Sequence, residues 1–139
     1  VRTLLDTNVI SELRRPGGSA AVRARVGEAD ADDLYLSVIS IGEIGYGIAR
    51  LSPGKRKREL EAWLSVTERH FGDRILAVDR DVAQVWGEIT ARAARAGRTL
   101  HAADGLIAAT ALHHGLRLMT RNTEDFAGTG VLTIDPWAG

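Results

Sequence analysis

Four carboxylates, Asp6, Glu43, Asp104 and Asp125, stand in contexts where side-chain oxygens could hold a hard divalent cation. Asp6 follows the apolar run Val1 to Leu5, and Asp104 falls in the first turn of an apolar segment. Asp125 lies three residues beyond Asn122, in the turn after Leu116 to Thr120. Glu43 is placed by helical spacing on a different face from Ile41, Ile44 and Ile48. Carboxylates brought within a few ångströms repel one another and burial adds to the cost, so such a cluster needs a proton or a cation between its members. Magnesium suits that need, because it takes oxygen ligands, keeps several waters and bridges protein carboxylates to substrate phosphate. An ion so held lowers the pKa of a bound water and neutralises charge on a leaving oxygen, which is what phosphodiester hydrolysis requires. Singly, each acid has a plainer role: Asp6 as a helix cap, Glu43 as a solvated helix residue, Asp104 as an acid answering the helix dipole, Asp125 as a turn former. Only their joint pattern points to chemistry.

The elements that must position these acids alternate between strand and helix. Val1 to Leu5 reads as a strand, followed by a helix with Thr7 and Asn8 as capping types and Val9, Ile10 and Leu13 as its inner stripe. Pro16-Gly17-Gly18 ends it, and a short helix is expected from Ser19 to Val26. Leu34 to Val38, Ile75 to Val78, Leu116 to Thr120 and Val131 to Ile134 are the further strands. A helix from Ile41 carries Glu43; its Gly42, Gly45 and Gly47 each cost about 1 kcal/mol relative to alanine, which predicts close packing against another backbone. The next helix, after Ser52-Pro53-Gly54, has Leu60, Leu64, Phe71 and Trp63 inward. Another follows Asp79, with Val82, Val85, Trp86, Ile89, Ala93 and Ala96 inward and Gly97 closing it. Ala103 to His114 is apolar nearly all round and is therefore expected to be buried. This order predicts an α/β fold with a mainly parallel sheet covered on both faces and a ligand site beyond the carboxyl ends of its strands.

Composition narrows the field. A chain of 139 residues that is 45% hydrophobic can build one core, so a single domain over 1–139 is expected. Cysteine is absent, which excludes disulfides and thiolate zinc sites and leaves oxygen or imidazole as metal ligands. Lys plus Arg equals Asp plus Glu at 18 each, so any nucleic-acid contact must rest on local patches. Arg121 flanks the presumed site and is the best such residue; Lys55-Arg56-Lys57-Arg58 opens a helix with charge that opposes the dipole, unless Glu59 and Glu61 relieve it. Arg14, Arg15, Arg92, Arg95 and Arg98 are further candidates. His113 and His114 point about 100° apart on a helix and no third histidine has helpful spacing, so they are set aside as a metal pair. Nucleophilic triads, phosphate-binding glycine loops and dinucleotide fingerprints are absent, and Asn8 breaks the Asp-x-Asp pattern of phospho-aspartyl enzymes. Without an apolar stretch of roughly 18 residues or a basic-then-apolar leader, a cytoplasmic protein with no membrane contact is expected.

The segments around the acids resemble a known family. Leu4-Leu5-Asp6-Thr7-Asn8-Val9-Ile10-Ser11-Glu12-Leu13 is similar to the opening motif of PIN domains, in particular the VapC and FitB-like toxin nucleases. Ser40 to Ile48 resembles the segment with their second acid, Asp104 to Ala111 the third, and Leu118 to Phe126 the fourth. The resemblance spans almost the whole chain. It implies a three-layer α/β/α sandwich and a magnesium- or manganese-dependent endoribonuclease that leaves a 5′-phosphate and a 3′-hydroxyl. Asp6, Glu43 and Asp104 would bind metal and position the attacking water. Many relatives carry an aspartate directly after the Thr-Arg pair, where this chain has Asn122, so the fourth role passes to Asp125 with Asn122 assisting. Thr7 and Thr120 would contact an acid or a metal-bound water. The resemblance also implies a homodimer, a cognate antitoxin and an RNA substrate. The rival reading is a catalytically inactive PIN module that binds RNA or a protein through the same surface.

Overall fold

The computed structural model describes residues 1–138; Gly139, the last residue of the expected unit, lies outside the described residues. Strand β1 (Thr3–Leu5) is wholly buried and runs straight into α1 (Thr7–Arg14). The cap is Asp6 rather than Thr7 or Asn8. Its extended backbone (φ −69°, ψ 159°) turns the carboxylate over the helix end, where Oδ1 accepts from the Thr7 amide at 2.8 Å. Ser19 caps α2 (Ala20–Gly27) by accepting from the Val22 amide.

Strand β2 (Leu34–Ser37) gives way to α3 (Val38–Ala49), which begins three residues before the expected Ile41, because the Ser37 hydroxyl accepts from the Ile39 amide and starts the helix there. Then come α4 (Lys55–Phe71), β3 (Ile75–Leu76) and α5 (Arg80–Arg95), the last capped by Asp79 through the Val82 amide at 2.9 Å. Helix α6 (Ala102–His114) ends at Gly115, whose φ of 66° is the left-handed turn that releases the chain into β4 (Arg117–Met119). A short 3-10 turn (Thr123–Phe126) and β5 (Thr133–Ile134) follow.

The five strands form a parallel sheet in the order β3-β2-β1-β4-β5. Side-chain alternation along the strands divides the core. Leu4 and Leu118 pack with Val82, Ile89, Ile107 and Ala108 of α5 and α6 on one face. Leu5, Leu36 and Met119 pack with Val9, Ile10, Val22, Ile44 and Ile48 on the other, joined by the partly buried Leu60 and Trp63 of α4. This is the three-layer α/β architecture expected from the sequence. Each buried leucine of the sheet contributes about 1.5–3 kcal/mol relative to exposure.

The glycines of α3 do not behave as expected. A Cβ placed on Gly42, Gly45 or Gly47 would meet nothing within 4 Å, so the predicted close packing is absent. Close approach occurs instead at Gly105, where a Cβ would lie 2.9 Å from Cδ1 of Trp86; the missing side chain lets α6 settle against α5.

Candidate functional site

The carboxyl edge of the sheet brings the sequence-predicted acids together. Asp6 leaves the end of β1 and is only 5% exposed; its amide donates to the Met119 carbonyl of β4 at 2.9 Å, which fixes the two strand ends side by side. The Thr120 hydroxyl, fully buried, donates to Asp6 Oδ2 at 2.7 Å. Both oxygens of Asp6 are thus held, Oδ1 by its own helix and Oδ2 by the neighbouring strand.

Glu43 is exposed on α3, away from the Ile44 and Ile48 stripe as its register predicts. Its Oε1 accepts from the Thr7 hydroxyl at 2.6 Å, and the Thr7 and Ser40 hydroxyls are hydrogen-bonded at 2.8 Å. This chain ties the second acid to the helix that Asp6 caps. Asp104 lies half-buried in the first turn of α6, and Asp125 is exposed in the 3-10 turn after β4.

Electrostatics report the proximity. Burial pushes the Asp6 carboxyl above its ordinary value of 3.8; the Thr120 and Thr7 hydrogen bonds pull against this, and the charges of Glu43 and Asp125 add to the rise. Asp104 is also raised, first by burial and then by the charges of Asp6, Asp125 and Glu43, with His101 pulling the other way. Glu43 and Asp125 therefore act on both Asp6 and Asp104, and Asp6 acts on Asp104 as well.

The fourth position divides between two residues. Asp125 adds charge to the cluster, whereas Asn122 contributes its backbone amide, which donates to Thr120 Oγ1 at 3.1 Å. Arg121 lays its guanidinium over the Trp137 ring, 5.1 Å from the centroid, at the rim of the site. Arg56 lines a cleft of about 260 Å³ with Thr7, Arg14, Glu43 and Trp63, so one of the helix-opening cations borders the acids. Lys55 points to Glu59 of its own helix at 3.8 Å, an exposed pair in keeping with a solvated face.

Two residues at the site were not singled out from the sequence. Asn8 places Nδ2 3.4 Å from both Asp6 Oδ2 and Thr120 Oγ1, while its Oδ1 accepts from the Arg121 amide at 3.3 Å. Ser40 is fully buried against Thr7. The readable signals are Asn8 two residues after a capping aspartate and Ser40 one helical turn before Glu43. His113, set aside with His114 as a metal pair, falls in a grouping of another kind: exposed Asp79, Asp81 and His113 have ligand atoms within 4.8 Å of one another, the set of this kind found among the described residues. It joins the start of α5 to the end of α6, a meeting that spacing within one helix does not disclose.

The donor chemistry of the edge fits a hard divalent cation: its ligand-capable groups are carboxylate oxygens, and their mutual repulsion is what a cation relieves. No three of the edge acids bring their oxygens within 4.8 Å of one another, as the ligand atoms of Asp79, Asp81 and His113 do.

A parallel three-layer α/β fold with clustered acids at its carboxyl edge defines a class of acidic-site domains, and comparison with known proteins names it. The PIN domain family matches residues 3–132, and the chain belongs to that family. It is 41% identical over 135 residues to toxin FitB of Neisseria gonorrhoeae, covering 96% of this chain and 97% of the relative. It is 36% identical over 135 residues to VapC ribonuclease Y4jK of Sinorhizobium fredii, with 96% of each chain covered. Among solved structures, FitAcB from Neisseria gonorrhoeae superposes with a TM-score of 0.92 at 40% identity, covering 97% of this chain and 98% of that one. A toxin-antitoxin complex from Klebsiella pneumoniae superposes at 0.74 with 25% identity, covering 96% and 97%. Among the described residues no helix is long and apolar enough to cross a membrane.

Proposed function

We propose that the protein is a magnesium-dependent endoribonuclease, with manganese an effective substitute, and the toxin half of a toxin–antitoxin pair acting in the cytoplasm as a single domain over 1–139. The observation that carries this reading is the cluster of Asp6, Glu43, Asp104 and Asp125 at one sheet edge, with Asp6 and Asp104 held above the usual carboxylate range by burial first and then by the charges of neighbouring acids. Relatives named as a toxin and as a ribonuclease, matched along nearly the whole chain, support the activity; a similar structure titled as a toxin-antitoxin complex supports a cognate antitoxin as partner.

Asp6 and Asp104 would hold the ion, with Glu43 and Asp125 completing the acidic shell. When bound, the ion supplies an acidified water and positive charge opposite the scissile phosphate. The chain's own residues do the positioning. Thr120 and the Thr7 amide fix both oxygens of Asp6, so this acid cannot rotate away. Thr7 engages Oε1 of Glu43 and leaves Oε2 to accept a proton from the attacking water. Asn122 assists by holding the Thr120 hydroxyl through its amide. Arg121, steadied on Trp137, and Arg56, beside Glu43, offer charge to the RNA backbone, with Lys55 a weaker contributor. The reading includes a homodimer, as the resemblance to the family implies.

Cleavage of a generic single-stranded RNA under magnesium titration tests the reading. The wild-type chain should cut only with the ion present, and Asp6→Asn and Asp104→Asn should each lower turnover at least about 100-fold with circular dichroism unchanged. Unchanged turnover in either variant overturns it.

A further inference from the structure

Next to the acids, a cavity of about 360 Å³ opens between the α5–α6 connection and the turn after β4. Its lining includes Arg98, Thr99, Leu100, Glu124, Asp125 and Ala127, so it shares Asp125 with the acidic cluster. The volume lies in the range of small-molecule sites, roughly 300–1,000 Å³. Two carboxylates in its wall repel a phosphate, so the cavity is unsuited to the RNA backbone. They accept hydrogen bonds and cannot donate while ionised, so the matching group is one rich in N–H.

The Glu124 side chain makes no hydrogen bond or ion pair among the described residues, its backbone carbonyl alone accepting from the Ala127 amide at 3.1 Å, and its exposed carboxylate is free to receive such a group. Arg98 is held in place: one guanidinium nitrogen donates to the Ala127 carbonyl at 2.9 Å, and Gly128, at φ 80°, makes the turn beside it. The other guanidinium N–H groups remain as donors. A carboxylate with a neighbouring guanidinium thus offers two acceptors next to a donor.

We propose that this cavity receives a guanine base flanking the scissile bond, with Glu124 as the specificity-determining residue; this rests on the nuclease reading above. Guanine presents N1–H and the N2 amino group side by side, matching both oxygens of one carboxylate, with O6 adjacent for Arg98. Adenine, cytosine and uracil each present a single N–H position on that edge. Recognition of a splayed-out base by its Watson–Crick edge is how single-stranded RNA is commonly read.

The test uses the full chain, magnesium and an unstructured RNA pool with randomised positions, sequencing the new 5′ ends. Wild type should show guanine enriched about 10-fold at one position beside the cut, the value of one added good hydrogen bond. Inosine, which lacks the N2 amino group, should lose most of that preference when it replaces guanine. Glu124→Gln and Glu124→Ala should cut the pool with the guanine preference reduced to within about twofold. Wild-type cleavage without guanine preference, or an unchanged preference in both variants, overturns the base site while leaving the nuclease reading intact. If wild type cuts nothing, the nuclease reading fails and titration with guanosine monophosphate decides the cavity: tighter binding than inosine monophosphate, lost in Glu124→Gln, upholds it, and equal binding refutes it.

Discussion

The Thr120 hydroxyl donates to Asp6 Oδ2 at 2.7 Å, joining the ends of β4 and β1 through a buried contact that binds an acid of the site to the sheet itself. The same hydroxyl receives the Asn122 amide at 3.1 Å, so one oxygen organises both the first acid and the turn that leads to Asp125. Thr120→Val keeps the shape and removes both bonds. Because it leaves the buried Asp6 Oδ2 with only the longer Asn8 Nδ2 contact at 3.4 Å and frees the Asn122 amide, it should destabilise the fold by about 1–3 kcal/mol in urea denaturation. It should also lower cleavage, with Thr120→Ser recovering most of both.

The raised carboxyls make stability depend on pH in a defined sense. For Asp104, whose folded pKa lies above the ordinary 3.8, the folded state holds its proton over a window in which the unfolded chain has lost it. Stability of the metal-free protein therefore falls as pH rises through that window, and the full cost is present above it. Asp104→Asn should raise the metal-free melting temperature at pH 7, with the gain shrinking as pH falls toward 3.8. Magnesium should stabilise the wild type at pH 7 and lose that effect in acid. Melting curves across pH with and without the ion check both; a variant that melts lower than wild type at neutral pH would contradict the repulsion argument.

Glu43 depends on a hydroxyl from another helix. Thr7→Val removes the 2.6 Å bond and should lower kcat with little change in KM for RNA, whereas Thr7→Ser should stay within a few-fold of wild type. Steady-state kinetics separates this from a loss of binding.

Arg121 offers a cation at the rim, stacked on Trp137. Arg121→Ala should weaken RNA binding and reduce the slope of log affinity against log salt by about one charge equivalent. Arg121→Lys should restore the slope more than the affinity, since lysine lacks the planar stack. An unchanged salt slope in Arg121→Ala would remove this residue from the RNA surface.

Much of this arrangement is legible in the sequence because the relevant signals are local. The short apolar strands that lead to Asp6 and Thr120, the amphipathic α5 and the apolar α6 all declare themselves locally, and with them the parallel sheet and its ligand edge. Helix starts turn on a capping side chain: of the capping types the sequence offers, Asp6 rather than Thr7 or Asn8 caps α1, and Ser37 pulls the start of α3 back from the expected Ile41 to Val38. That the glycines of α3 admit no close neighbour could not be read, because a glycine that admits a neighbour and one that does not are identical in sequence. Long-range contacts were hidden for the same reason: the Ser40–Thr7 bond spans 33 positions, and the Asp79, Asp81 and His113 group joins two helices.

Paramagnetic manganese followed by NMR tests the central assignment most directly, because it locates the cation without relying on turnover. Substoichiometric ion added to the wild-type chain should broaden the amide signals of Asp6, Glu43, Asp104 and Thr120 first, and Asp6→Asn should abolish that pattern. Broadening confined to Asp79, Asp81 and His113, with the sheet edge untouched, would contradict the account.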